Sequence, residues 1–208
     1  LVPHLHAARH TFDRPSQREL DLFDANAVNA AVAGCDAVVH LASRIPPRER
    51  RGDPSAWRDN DRLRSTTSRL LVDALLQESG AEVYVVPTVT MLYQTTPADE
   101  RTPIGDVPAH LRSAMVAEQQ AHRVMDNGIR GIILRLGRLY GLGTEAHVPD
   151  PAASATLHSA DAGAALNHAL SAPAGTYNVC DDGGAIGNDR FKAATEWRPR
   201  AGRPIRER

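Results

Sequence analysis

The sequence predicts a doubly wound parallel α/β sheet with a small C-terminal lobe. Three features predict it. Strand-like and helix-like patterns alternate along the chain, which is the order of a parallel sheet covered by helices. The strand-like runs are short, apolar and β-branched, as in strands buried on both faces. Glycines stand where the helices should stop.

Taken in order, Leu1, Val2, Leu5, Ala7 and Ala8 lay one apolar stripe on a short helix over 1–10. Thr11-Phe12 reads as a brief strand, Asp13-Arg14-Pro15-Ser16 as a polar turn, and 19–22 as a short or edge strand. Asp24 is placed to cap a helix over 25–33, which Gly34 ends. Ala37-Val38-Val39 is a strand suited to burial on both faces, and 43–54 is a loop rich in Pro and Arg. A longer helix over 61–77 carries Leu63, Leu70, Leu71, Ala74 and Leu75 on one side and closes at Gly80. Residues 82–86 form the next strand, Met91-Leu92-Tyr93 follows a polar turn, and 109–127 is helical up to Gly128. A buried strand over 131–136, a helix over 160–170, a strand over 175–179 and a short helix over 191–194 complete the chain before Trp197. The main sheet is expected within 1–141 and the smaller lobe within 142–208, with the strand at 175–179 returning toward the main sheet. The chain reads as though it starts inside a helix, so a leading strand and turn are expected upstream of it.

Composition bounds the function. The 208 residues, 42% of them hydrophobic with 15 glycines besides, can build a sizeable core. A net charge of −1, with arginines interleaved among acids, gives no footprint for nucleic acid. No apolar run approaches the ~18–20 residues of a membrane span, and no signal peptide is visible. Cys35 and Cys180 lie far apart in apolar surroundings and read as buried free thiols of a reducing cytoplasm. No metal site is expected: His6 lies on another helix face from His4 and His10, and the 180–184 segment lacks the alternating ligands of a calcium loop. Arg44, Arg48, Arg50 and Arg51 beside two prolines read as a solvated loop at the mouth of a cleft, placed to grip an acidic substrate.

In doubly wound sheets the ligand sits at the carboxyl ends of the strands. Val38-Val39-His40-Leu41-Ala42-Ser43 ends one strand in small residues; taken by itself this is an ordinary strand and turn. The ordered set is more telling: Leu20 to Asp24, His40 to Ser43, Thr88 to Tyr93, Leu134-Arg135 to Gly143, His158 to Asp161, then Gly175-Thr176-Tyr177-Asn178-Val179 and Trp197-Arg198-Pro199. This succession resembles the extended short-chain dehydrogenases, the NAD-dependent epimerase/dehydratase family, over essentially the whole chain. The resemblance implies a Rossmann-type domain that binds a dinucleotide across the strand ends, with the lobe holding substrate. It places Asp21 and Leu22 near adenine, and Leu41, Ala42 and Ser43 near the nicotinamide ribose. The family's glycine-rich turn, which sets a helix end against the pyrophosphate, has no counterpart here and is expected just before residue 1. Arg14 and Ser16 lean the cofactor toward NADP(H), since they can hold a 2′-phosphate, although the acid Asp13 beside them suits NAD(H).

The family's catalytic groups are largely erased. Aligned on Ala117-Glu118, Ala114 stands where lysine is expected and His110 where tyrosine is expected, while Val89 replaces the hydroxyl residue between Thr88 and Thr90. Neither Ala114 nor Val89 can move a proton. His110 can act as an acid near neutrality, though a histidine at a helix start is more often merely exposed. Thr90, Thr88 and His110 are the candidate catalytic residues, and three readings stay open: a reductase whose substrate supplies the proton, a reductase using His110, and a dinucleotide-binding sensor or scaffold. The missing tyrosine is similar to that of atypical ketoreductases acting on angucyclinone-type aromatic polyketides. That likeness implies NAD(P)H-dependent reduction of a polyketide ketone to a secondary alcohol, with an adjacent phenol supplying the proton. The expected partner is therefore this small molecule, with neither nucleic acid nor membrane involved.

Overall fold

The computed structural model describes residues 2–8, 10–16, 18–78 and 80–200. Its strands are β1 (Ala37–Val39), β2 (Val83–Val89), β3 (Arg130–Leu136), β4 (Arg138–Tyr140), β5 (Thr156–His158) and β6 (Gly175–Val179). Its α-helices are α1 (Val2–Ala7), α2 (Ala25–Val32), α3 (Arg58–Arg62), α4 (Ser68–Glu78), α5 (Arg112–Asp126), α6 (Ser159–Ala169) and α7 (Asp189–Ala194). Four strands form one sheet in the order β1-β2-β3-β6, and β4 pairs with β5 in a second, two-stranded sheet. The order follows the chain, with β4 and β5 set apart, and helices lie between the strands as parallel neighbours require. β1 and β2 run parallel with Ala37 opposite Val83. The expected doubly wound sheet with flanking helices is the observed fold, and β6 returns to it beside β3.

The chain packs as two compact units, one of 13–88 and 106–133, the other of 1–12, 89–105 and 134–208. Each unit gathers segments distant in sequence.

In the 13–88/106–133 unit, α2 starts as expected, with Asp24 accepting a hydrogen bond from the Asn26 amide, and ends before Gly34 at φ +73°. Val28, Val72, Leu75, Tyr84, Ala121, Val124 and Ile133 form its core, all 3% exposed or less. Each such aliphatic side chain contributes about 1.5–3 kcal/mol by leaving water. Gly131 lets β3 lie close on α5: a Cβ there would stand 2.5 Å from the Ala121 carbonyl oxygen. The helix expected over 61–77 is three pieces, α3, a π-turn at Leu63–Thr67 and α4. Such turns are frequent at functional sites.

Two expected strands are absent. Residues 19–22 form turns, because the Glu19 and Leu20 amides donate to the Ser16 carbonyl and the Asp21 carboxylate takes the Phe23 amide. Local bonds thus replace a ladder. Thr11-Phe12 is irregular, and the Phe12 ring lies 5.0 Å from that of His6. β1 is half-buried at all three positions rather than buried on both faces, since it is an edge of the described sheet. Cys35 is likewise half-buried, while Cys180 is buried and free.

In the other unit, β4 and β5 run parallel with Tyr140 opposite His158. Gly141, at φ +100°, permits this approach; a Cβ there would overlap the His158 ring. The His158 side chain accepts from the Ala160 amide to start α6. No helix among the described residues is long and apolar enough to cross a membrane.

Candidate functional site

The carboxyl ends of β1 and β2 carry a polar cluster within the 13–88/106–133 unit. His40 follows β1, is 6% exposed, and lies with Nε2 3.3 Å from the Leu63 carbonyl oxygen in the π-turn. Burial, reinforced by the Arg64 charge and opposed by the Leu63 bond, pushes its pKa down to about 4. It is therefore a neutral donor to Leu63 near pH 7. At the end of β2, the Thr88 hydroxyl donates to Glu118 Oε1 at 2.7 Å, both groups being buried. One turn earlier on α5, Ser113 donates to Asp61 Oδ1 at 2.7 Å. Between these pairs Ala114, 2% exposed, presents only a methyl group.

Arg64, in the π-turn, interacts electrostatically with His40, Asp61 and Glu118. Its charge thus acts on groups after β1, in α3 and on α5. It is partly buried. Burial lowers its pKa and the two carboxylates oppose that shift.

The remaining expected site residues of this unit fall around the cluster. Leu41 is 43% exposed, with half-buried Ala42 and exposed Ser43 after it. The turn holding Asp21 and Leu22 is stitched to the π-turn, since Thr67 donates to the Leu22 carbonyl at 3.2 Å, and Arg62 lies 3.8 Å over the Phe23 ring. Arg14 is exposed. Ser16 donates its amide to the Glu19 carboxylate at 2.7 Å, so it already faces an anion. His110 lies apart from the Thr88–Glu118 pair in its bonding: its ring stacks on Trp57 at 5.0 Å, in the 3-10 turn that leads into α5. In the loop expected to grip an acidic substrate, Arg44 pairs with Asp59 at 3.0 Å, Arg50 with Asp53 at 3.3 Å, and Arg51 donates to the Pro46 carbonyl.

In the other unit Thr90 donates to the Leu136 carbonyl at 3.3 Å and is 4% exposed. Both candidate threonines thus spend their hydroxyl hydrogens on the protein. Tyr93 receives a bond from Arg135 at 2.9 Å and donates to Asn178 Oδ1 at 2.9 Å, and the Asn178 backbone N–H donates to Glu100. The Leu134-Arg135 and Asn178-Val179 segments therefore meet at the Tyr93 phenol, which burial pushes above its ordinary pKa. Asp161 takes the Arg200 amide at 2.9 Å while its carbonyl accepts from the Trp197 indole. These motifs hold the unit together through buried hydrogen bonds.

Arg64, Asp61 and Ser113 were not singled out by sequence. Their signal is faint, because charged residues on a helix usually mark a solvated face. Asp61 joins this polar cluster only once α5 is packed against the π-turn.

For a dinucleotide, the exposed small residues after β1 and the accessible turn at Asp21 fit the two nucleoside ends. No glycine-rich phosphate cradle occurs among the described residues.

The model of the NAD dependent epimerase/dehydratase family matches residues 2–179. No curated protein gives a sequence match. Among solved structures, RMD from Pseudomonas aeruginosa complexed with NADPH superposes with a TM-score of 0.73 at 18% identity, over 95% of this chain and 90% of that one. A short-chain dehydrogenase/reductase superfamily protein from Agrobacterium tumefaciens with bound NAD gives 0.75 at 16%, over 95% and 88%. The UDP-Glc/GlcNAc 4-epimerase of Campylobacter jejuni gives 0.72 at 18%, over 95% and 82%. At these identities the likeness is one of fold.

Proposed function

The chain belongs to the NAD dependent epimerase/dehydratase family, and from that premise we propose that it reduces a ketone of an aromatic polyketide, angucyclinone in type, to a secondary alcohol. The observation that carries this reading is the buried methyl of Ala114 between two engaged hydroxyl–carboxylate pairs, with Val89 where the family has a hydroxyl. In both pairs the hydroxyl hydrogen is already donated to a carboxylate. A substrate with an acidic phenol beside its ketone brings the proton itself. Such a substrate needs from the protein mainly position and electrostatic support.

NADP(H), or NAD(H), is the cofactor of this reading, supported by the NADPH and NAD named with the structural neighbours. When bound, a reduced nicotinamide supplies the hydride. Leu41, Ala42 and Ser43 would hold its ribose, and Asp21 and Leu22 its adenosine end. Arg14 and Ser16 would receive a 2′-phosphate only if Glu19 turned away, so the choice between the two dinucleotides rests on that carboxylate. The protein is read as acting in the cytoplasm on a free small molecule.

A second reading keeps the fold and drops the chemistry. The same erased groups suit a sensor that binds dinucleotide and recruits a protein partner. A nucleotide-sugar epimerase or dehydratase relative is a further member of the same class. Intact protein incubated with NADPH or NADH and a set of hydroxylated aromatic ketones decides among them through loss of nicotinamide absorbance. Turnover is the expected result. Tight dinucleotide binding without turnover favours the sensor, and conversion of a UDP-hexose favours the sugar-nucleotide relative.

A further inference from the structure

We propose that the cavity lined by the turns at 149–153 and 181–184 binds a small organic ammonium ion, with Asp181 as its counter-ion. It uses none of the residues assigned above to dinucleotide or ketone, and it does not rest on the reductase reading.

The cavity lies wholly within the unit that holds 134–208 and measures about 280 Å³, close to the ~300 Å³ lower end of small-molecule sites. Its walls are fastened to one another. The Asp181 amide donates to the Thr156 carbonyl at 2.7 Å and the Ala185 amide to the Ser154 carbonyl at 2.9 Å, so the 181–184 turn is held against the chain entering β5. Gly184 lets the two backbones lie this close, since a Cβ there would stand 3.1 Å from the Ser154 carbonyl oxygen. In the other lining turn, the Asp150 carboxylate accepts the Ala152 amide at 2.9 Å. Pro149, Pro151, Ala153 and Ala155 give the cavity an apolar wall, which suits a hydrocarbon frame of modest size.

Three carboxylates line the cavity, and two of them are answered by cations. Asp150 pairs with Arg138 at 2.5 Å. Asp182 pairs with Lys192 at 2.9 Å, a cation it shares with Asp189, and accepts from the Asn188 side-chain amide at 3.0 Å. Asp181, half-buried, has no basic partner among the described residues. Its Oδ2 takes the Thr156 hydroxyl at 2.9 Å, while its Oδ1 is buried and takes no well-formed hydrogen bond. Tyr140 beside it is no counter-charge: burial, then the Asp181 charge, pushes its phenol up to about 12, so it stays neutral. The cavity is thus left with an excess negative charge and an acceptor oxygen short of a donor, which is costly when buried. An ammonium group supplies both the charge and three N–H donors. No cluster of three or more metal-ligating side chains occurs among the described residues. A cation carried on carbon, which also covers the apolar wall, is therefore the ligand that fits.

The probe is cyclohexylammonium, set against cyclohexanol, which has the same frame without the charge. Proton–nitrogen correlation spectra of the full chain at pH 7 record binding through the amides of Ala153, Gly183 and Gly184. Saturable shifts at these amides are expected, with the ammonium binding about ten- to a hundredfold more tightly than the alcohol, the range of a hydrogen bond to a charged group. Asp181→Asn keeps an acceptor for Thr156 and removes the charge, so it should erase that preference. Added salt should weaken the wild-type complex with the ammonium and leave the alcohol untouched. If Asp181→Asn does not fold, Ala153→Leu serves: it narrows the cavity from a half-buried wall and should weaken both probes alike. Equal affinity for amine and alcohol overturns the proposal, as does a preference that survives in Asp181→Asn, or the absence of saturable shifts at these amides. Calcium ions that displace the amine and shift the same amides more strongly would overturn it in favour of a metal ion. Ketone turnover lowered by cyclohexylammonium places the ammonium on the substrate, and unchanged turnover makes it a separate ligand; the site is upheld in either case.

Discussion

Acid should weaken this protein through His40, and the structure sets the size of the effect. In the unfolded chain a histidine titrates near 6.5, whereas buried His40 does so at about 4. Between these values the unfolded chain binds the proton and the folded one does not. Stability is therefore intact above pH 6.5 and is lost as pH falls toward 4. A fall from 6.5 to about 4, at about 1.4 kcal/mol per unit, amounts to roughly 3 kcal/mol. For a chain of this size that corresponds to about 6–12 °C in Tm. Other groups also titrate over this range, so the comparison is with His40→Gln, whose side-chain amide can still donate to the Leu63 carbonyl. Urea unfolding at pH 7.5, 6.5, 5.5 and 4.5 should show the wild type losing about 2.5 kcal/mol more than the variant. Parallel stability–pH profiles would refute the argument, because they would mean that His40 ionises alike in both states.

Three further outcomes are expected. Thr88→Val removes a buried donor from the Glu118 carboxylate and should cost about 1.5–3 kcal/mol, or about 3–12 °C in Tm; a melting point within 1 °C of the wild type would show that this hydroxyl is not holding Glu118. Glu19→Ala frees the Ser16 amide and should raise NADP affinity relative to NAD by about two- to fivefold, the range of a surface charge contact, as read by titrating both dinucleotides; an unchanged ratio, with Arg14→Ala also silent, would remove this turn from the cofactor site. His110→Ala and Thr90→Val should each keep most of the reductase activity, whereas loss of a true general acid costs about 10²–10⁴-fold; a near-dead His110→Ala enzyme with normal cofactor affinity would make His110 the acid.

Local chemistry decided much of what the sequence made legible. Asp24 before an apolar-periodic run and Gly34 after it set both ends of α2, because capping needs only neighbouring residues. The strands expected over 82–86 and 131–136, short apolar runs rich in β-branched residues, are β2 and β3. Segments that needed a partner strand were beyond local reading. Residues 19–22 found their hydrogen bonds inside their own turn, and β4 with β5 formed a sheet from two three-residue runs with no periodicity to announce them.

The candidate site divides in the same way. That Ala114 and Val89 cannot transfer a proton follows from residue identity alone. Which charges act on one another is a tertiary fact. Arg64 is one arginine among many on a polar helix until folding brings its charge within electrostatic reach of His40, Asp61 and Glu118, residues 24, 3 and 54 positions away in the chain. Propensity and periodicity act over a few residues. The field at a side chain is summed over everything packed around it, and only the folded chain determines that sum.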